Sequence, residues 1–144
     1  MTTHQTQTSL GRSVEENRDG FMRLVLKLDA VATGAVGLLS VAASPILDDL
    51  LGIPLALLVP VGLFLVAYAV AIWIVATRRR VSRPAVWAAV AINLMYTVDC
   101  VVVVAAGWFP LTALGTAFIL FQTAAVTLFA AAQFYALQKA ARTR

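Results

Sequence analysis

Residues 85–107 read AVWAAVAINLMYTVDCVVVVAAG, and this stretch decides the fold. Asp99 is its one residue of the Asp, Glu, Lys and Arg kind, and no proline interrupts it. At ~1.5 Å per residue a helix of this length reaches at least ~30 Å, the thickness of a bilayer's hydrocarbon core. Water is absent there, so every backbone amide must bond within its own segment, and the stretch has to be helical. Three similar stretches run from Leu24 to Ala43, from Pro54 to Thr77 and from Thr116 to Leu137. Together they predict an all-α, four-helix transmembrane bundle built as two hairpins, with the membrane domain over 22–138.

Composition leads to the same class. Of 144 residues, 61% are hydrophobic and 12% charged, with a mean hydropathy of +0.88. Soluble domains run at about 45–50% apolar and about 25% charged, so the excess apolar surface must face lipid. The length fits one domain. A lone cysteine (Cys100) excludes an internal disulfide and a dithiol redox pair. A lone histidine (His4), in a polar segment, excludes bis-His haem, zinc clusters and Ser-His or Cys-His catalysis. No catalytic residue, metal ligand or cofactor motif is assigned.

Basic residues set an expected orientation. Arg12, Arg18, Arg23 and Lys27 precede or open the first span, Arg78, Arg79, Arg80 and Arg83 fill the second connection, and Lys139, Arg142 and Arg144 follow the last span. All 11 cations fall on one side, which the positive-inside rule makes cytoplasmic. Both termini are then cytosolic, with 1–21 a flexible tail and 139–144 a basic tail. The first residues lack the basic-then-apolar order of a signal peptide. The net charge of +4 needs no nucleic acid to explain it.

The other two connections resemble each other. Ser44-Pro45-Ile46-Leu47-Asp48-Asp49-Leu50-Leu51-Gly52 reads as a short helix capped by Ser44 and closed by Gly52. Pro110-Leu111-Thr112-Ala113-Leu114-Gly115 repeats the Pro-start, Gly-stop plan, as in two hairpins related by a pseudo-two-fold axis. Ala30, Thr33, Gly34 and Gly37 form a small-residue strip that admits a close neighbour. Pro60 removes one backbone bond inside the second span. Trp108, Phe109, Trp87 and Tyr135 suit interfacial anchoring.

Polar residues inside the spans are the candidate functional groups: Asp99, Asn93, Tyr96, Gln122 and Asp29. A charged Asp at a helix centre costs ~2.5–3.5 kcal/mol, so Asp99 should face the bundle interior or carry a proton. Asn93 and Tyr96 precede it on the same span. Gln122 matches its depth, with Ser40 and Tyr68 as further partners. Asp29 lies near Gln133 in depth and reads as a boundary residue tied to Arg23 or Lys27 by snorkelling. Asn93, Gln122 and Gln133 also suit plain interhelical bonding, worth ~0.6 kcal/mol each. Cys100 reads as a small apolar filler. Asp48 and Asp49 offer too few oxygen ligands for a cation.

The stretches LKLDAVATGAVGLL (Leu26–Leu39), AINLMYTVDCVVVVAAGW (Ala91–Trp108) and ALGTAFILFQ (Ala113–Gln122) resemble a group of small actinobacterial four-helix integral membrane proteins. In outline the chain is also similar to DoxX-like membrane proteins, through hairpin plan and length alone. These resemblances imply topology and no activity. Small multidrug exporters share the size and an acidic residue on the first span, but their dual-topology members need weak charge bias.

Two functional expectations follow. One is an accessory or lipophilic-ligand-binding bundle, holding a lipid or quinone and partnered by the bilayer, a larger membrane complex or a second copy of the chain. The other is a proton-coupled small-molecule transporter using Asp99 or Asp29. An enzyme is the weakest reading, since no nucleophile–base pair, metal set or phosphate loop is visible.

Overall fold

A computed structural model describes residues 2–142. Arg144, counted among the cations, lies outside the described residues, as does the side chain of Arg18. Five helices follow in order: α1 (Thr2–Ala42), α2 (Ser44–Leu51), α3 (Leu55–Thr77), α4 (Arg83–Ala106) and α5 (Ala113–Ala141). No strand occurs among the described residues. Asp19–Ala42 of α1, and α3, α4 and α5, are each long and apolar enough to cross a membrane, as a multi-pass membrane protein requires. Their outward faces agree: Leu38, Leu63, Met95, Phe121 and Leu128 are all exposed. A water-soluble bundle would turn such residues inward.

The bundle has a terminal end, where α1 and α5 project, and an α2 end. Helix α1 packs mainly on α3 and secondarily on α5, while α4 packs mainly on α5. Small residues make the α1–α3 contact close. A Cβ on Gly34 would lie 3.2 Å from the Cβ of Ala69, and one on Gly37 would lie 2.8 Å from the Gly62 carbonyl oxygen. The small-residue strip therefore faces α3. Helix α3 runs unbroken through Pro60. Helices α3 and α4 do not pack closely on one another, which opens a space between them towards the α2 end.

Two apolar cores fill the interior. The first gathers Met22, Leu26, Ile72, Val86 and Leu137 at the terminal end. The second gathers Leu47, Leu51, Ile53, Leu58 and Ile119 beneath α2. Two arginines close the terminal end by donating to carbonyls at or just beyond the C-terminal ends of α3 and α5. Arg23 donates to the carbonyls of Ala76 (3.0 Å) and Arg79 (2.6 Å), and Arg83 donates to Ala140 (3.3 Å).

Two local expectations are corrected, and the first residues, expected as a flexible tail, are helical, continuing α1 to Thr2. Once the spanning segment has nucleated a helix, each further residue adds a bond at little cost, and no proline stands in the way. Thr8, Ser9 and Ser13 turn their hydroxyls onto the carbonyls of His4, Thr6 and Leu10, so their side chains bond along the helix. Ser44 does not cap α2: Ala43 occupies the cap position and the Ser44 hydroxyl donates to Val41. Gly52 does close α2, at φ 71°.

The connection before α5, over 108–112, forms no short helix. Thr112 caps α5 instead, its hydroxyl oxygen accepting from Gly115 N at 3.0 Å, so Gly115 lies inside the first turn of α5. There it lets the Leu51 carbonyl approach, which a Cβ would block. Thr112 also donates through its backbone to Leu51 (3.1 Å) and through its hydroxyl to Leu50 (2.8 Å). These bonds tie the end of α2 to the start of α5.

Candidate functional site

Asp29 of α1 is fully buried, and its carboxylate is held from all sides. One oxygen, Oδ2, accepts from the Tyr68 hydroxyl of α3 (2.9 Å), the Asn93 amide of α4 (3.1 Å) and the Gln133 amide of α5 (2.7 Å). The other, Oδ1, accepts from the hydroxyl of Thr33 one turn along α1 (2.9 Å). Asn93 also donates to Gln133 Oε1 (3.2 Å), closing a triangle of Asp29, Asn93 and Gln133. Every spanning helix thus contributes at least one polar side chain to a single node, α1 giving both Asp29 and Thr33. No buried side-chain polar atom lacks a partner among the described residues.

Helix geometry explains the convergence. Asp29 lies ten residues after Asp19, Tyr68 nine before Thr77, Asn93 ten after Arg83 and Gln133 eight before Ala141. At ~1.5 Å per residue all four stand ~12–15 Å from the terminal end of their spans. Placing the start of the first span at Leu24 made Asp29 look shallow; the helix begins earlier, and the residue is deep. The expected tie to Arg23 or Lys27 is therefore corrected. Arg23 is engaged on the α3 terminus, and the Lys27 ammonium lies 5.7 Å from the centroid of the Trp73 ring. The expected match of Asp29 with Gln133 agrees with their bond.

A cavity of about 440 Å³ opens one turn further towards the α2 end. Leu57, Leu58, Val61 and Leu65 of α3 form one wall, and Tyr96, Cys100 and Val103 of α4 with Phe118 and Ile119 of α5 form the other. Trp108, Phe109 and Leu111 stand at its outer rim. Its size falls in the range of about 300–1,000 Å³ typical of small-molecule sites. Tyr96 donates to Gln122 Oε1 at 2.8 Å on the cavity wall. Leu65 precedes Tyr68, and Asn93 precedes Tyr96, by one helical turn, so the polar node underlies the cavity floor.

The candidate residues divide accordingly. Asp29 and Asn93 meet in the node. Tyr96 and Gln122 meet at the cavity. Asp99 does not turn into the bundle interior: it is exposed and borders the cavity, with no hydrogen bond or ion pair to a described residue. Neither Gln122 nor Ser40 partners it, because Gln122 serves Tyr96 and Ser40 donates to Val36. Tyr68, offered as an Asp99 partner, serves Asp29 instead. Tyr68, Gln133 and Thr33 complete the node and were not among the candidates. Depth had already matched Gln133 to Asp29, and equal depth from the terminal ends was the signal that could have added Tyr68. Trp108 and Phe109, expected as anchors, also border the cavity.

Among the described residues no group of His, Cys, Asp and Glu is arranged to hold a metal ion. No family model matches the chain, and neither does any curated protein or solved structure.

Proposed function

We propose that this chain is a multi-pass protein of the cytoplasmic membrane, with both termini cytosolic and its spans arranged as two hairpins, that holds a lipophilic ligand of the lipid or quinone kind as an accessory bundle in a membrane complex. The observation that carries the reading is the apolar cavity between α3, α4 and α5, with Tyr96, Gln122 and Asp99 as its polar groups. Apolar walls with a few placed polar atoms are the usual make-up of a small-molecule site. The cations gathered at the terminal end support the orientation, which puts the cavity in the outer half of the bilayer. The likeness to small actinobacterial membrane proteins fits the same plan.

Native mass spectrometry of protein released from membranes in mild detergent tests the proposal. The expected result is a bound lipid or quinone that Leu65→Trp, which fills the cavity, displaces. A ligand-free protein whose stability is unchanged by titration with lipid and quinone overturns it.

A second reading, a proton-coupled transporter, is favoured by one observation. Asp29 is a fully buried carboxyl bonded to all three other spanning helices, so gain or loss of its proton would change the packing of the whole bundle. Asp29, rather than Asp99, is then the coupling residue.

A further inference from the structure

Asp99 is a carboxyl in an apolar span with no hydrogen bond or ion pair to a described residue. Among the described residues that line the cavity it is the sole acidic or basic side chain. Elsewhere in the spans the polar side chains are spent on one another: Asp29 takes four donors, Tyr96 donates to Gln122, and the Ser40 hydroxyl donates to its own helix. Intramembrane carboxyls normally pair or face a functional cavity, because an unpaired charge in lipid is costly. Asp99 meets the second condition and not the first.

From this geometry we infer that the cavity takes an amphiphile with a positively charged head, a lipophilic amine or quaternary ammonium, whose head pairs with Asp99 and whose chain lies along Leu57, Val61 and Leu65. The inference rests on the proposed lipophilic site and narrows its ligand. Charge complementarity selects the head. An anionic head would meet Asp99 with no cation to offset it. A quinone carbonyl needs hydrogen-bond donors, and the Tyr96 hydroxyl is already engaged, leaving the Gln122 amide. A cationic head finds the Asp99 carboxylate. The rings of Trp108 and Phe109 at the rim add faces of the kind that attract quaternary ammonium groups.

Three probes of one chain length separate head from tail: decyltrimethylammonium, decanol and decanoate, titrated into the full chain in uncharged dodecylmaltoside micelles, with protein-free micelles as the blank. Binding is followed by tryptophan fluorescence in a Trp73→Phe, Trp87→Phe background, where Trp108 alone reports. The expected result is saturable binding of the cation about tenfold tighter than decanol, a difference of one decade in Kd, with decanoate weakest. Asp99→Asn, nearly the same shape at an exposed position, should erase the preference and leave decanol binding unchanged. Leu65→Phe, which fills the cavity without adding a tryptophan, should weaken all three. Equal binding of the three probes, or a preference that survives Asp99→Asn, overturns the cationic ligand while leaving a lipophilic site. Absence of binding by these probes together with lipid and quinone overturns both.

Discussion

At the Asp29 carboxylate one oxygen takes three donors and the other takes one, and this asymmetry decides which substitutions the node accepts. An asparagine can present its carbonyl oxygen to Tyr68, Asn93 and Gln133 and its amide to Thr33, whose hydroxyl accepts as readily as it donates. Asp29→Asn should therefore cost no more than about 1 kcal/mol. Asp29→Ala strands three buried donors and should cost about 2–3 kcal/mol. Unfolding of both variants in mixed detergent micelles measures the difference, and equal losses would mean the node is not bonded as described. The same asparagine tests the transporter reading, since it holds the position neutral: pH-dependent uptake in proteoliposomes should vanish, and uptake with unaltered pH dependence removes Asp29 from any coupling role. Residue by residue, the polar groups that matter were legible in the sequence, because few exist and lipid leaves them nowhere to hide. Their pairing was less so. A shift of five residues in where the first span starts, from Leu24 to Asp19, moves Asp29 by ~7 Å, enough to exchange a boundary residue for a central one.

Helix α1 meets α3 through glycine on both sides, and their contact fixes the depth at which Asp29 finds Tyr68. A Cβ on Gly62 would stand 2.8 Å from Val41 Cγ2 and 2.9 Å from the Gly37 carbonyl oxygen, so one helix must retreat. Gly62→Val should destabilise the bundle by about 1–3 kcal/mol, as overpacking does. Gly20 provides the control. A Cβ there meets nothing within 4 Å, so Gly20→Ala should gain up to about 1 kcal/mol of helix propensity. Unfolding both variants in micelles checks the pair, and a harmless Gly62→Val would show that α1 and α3 do not cross at this point. This strip was readable, since Ala30, Thr33, Gly34 and Gly37 recur at three and four residues along one face. The connection over 108–115 was not. Proline followed by glycine suits a short helix equally well as a loop running into a capped one, and the outcome was set by Thr112, which bonds both to Gly115 and to α2. That second bond is tertiary, and local spacing carries no trace of it.

For the molecule as a whole, the proposed sidedness rests on charge. Arg12, Arg23, Arg79 and Arg83 belong to the terminal end, and two of the cations behind that proposal, Arg23 and Arg83, also donate to backbone carbonyls that close the bundle there. Asp48 and Asp49 lie at the opposite end, which has no Lys or Arg among residues 44–53 and 108–115. Inserting the chain the other way round would carry every cation across the bilayer, against the bias that governs short loops. Single-cysteine variants on a Cys100→Ala background make the orientation measurable, because Cys100 is buried and its replacement is small. Asp49→Cys, at an exposed position on α2, should react with an impermeant maleimide on intact cells, whereas Gln5→Cys should react only after lysis. The reverse pattern would invert the protein, and labelling of both sites on intact cells would mean that it inserts both ways. Either result also relocates the cavity, since its rim at Trp108 and Phe109 lies beside α2 and α5 at the α2 end. A ligand would then enter from the cytosolic leaflet, and a bundle that captures amphiphiles from the outer one would no longer fit the fold.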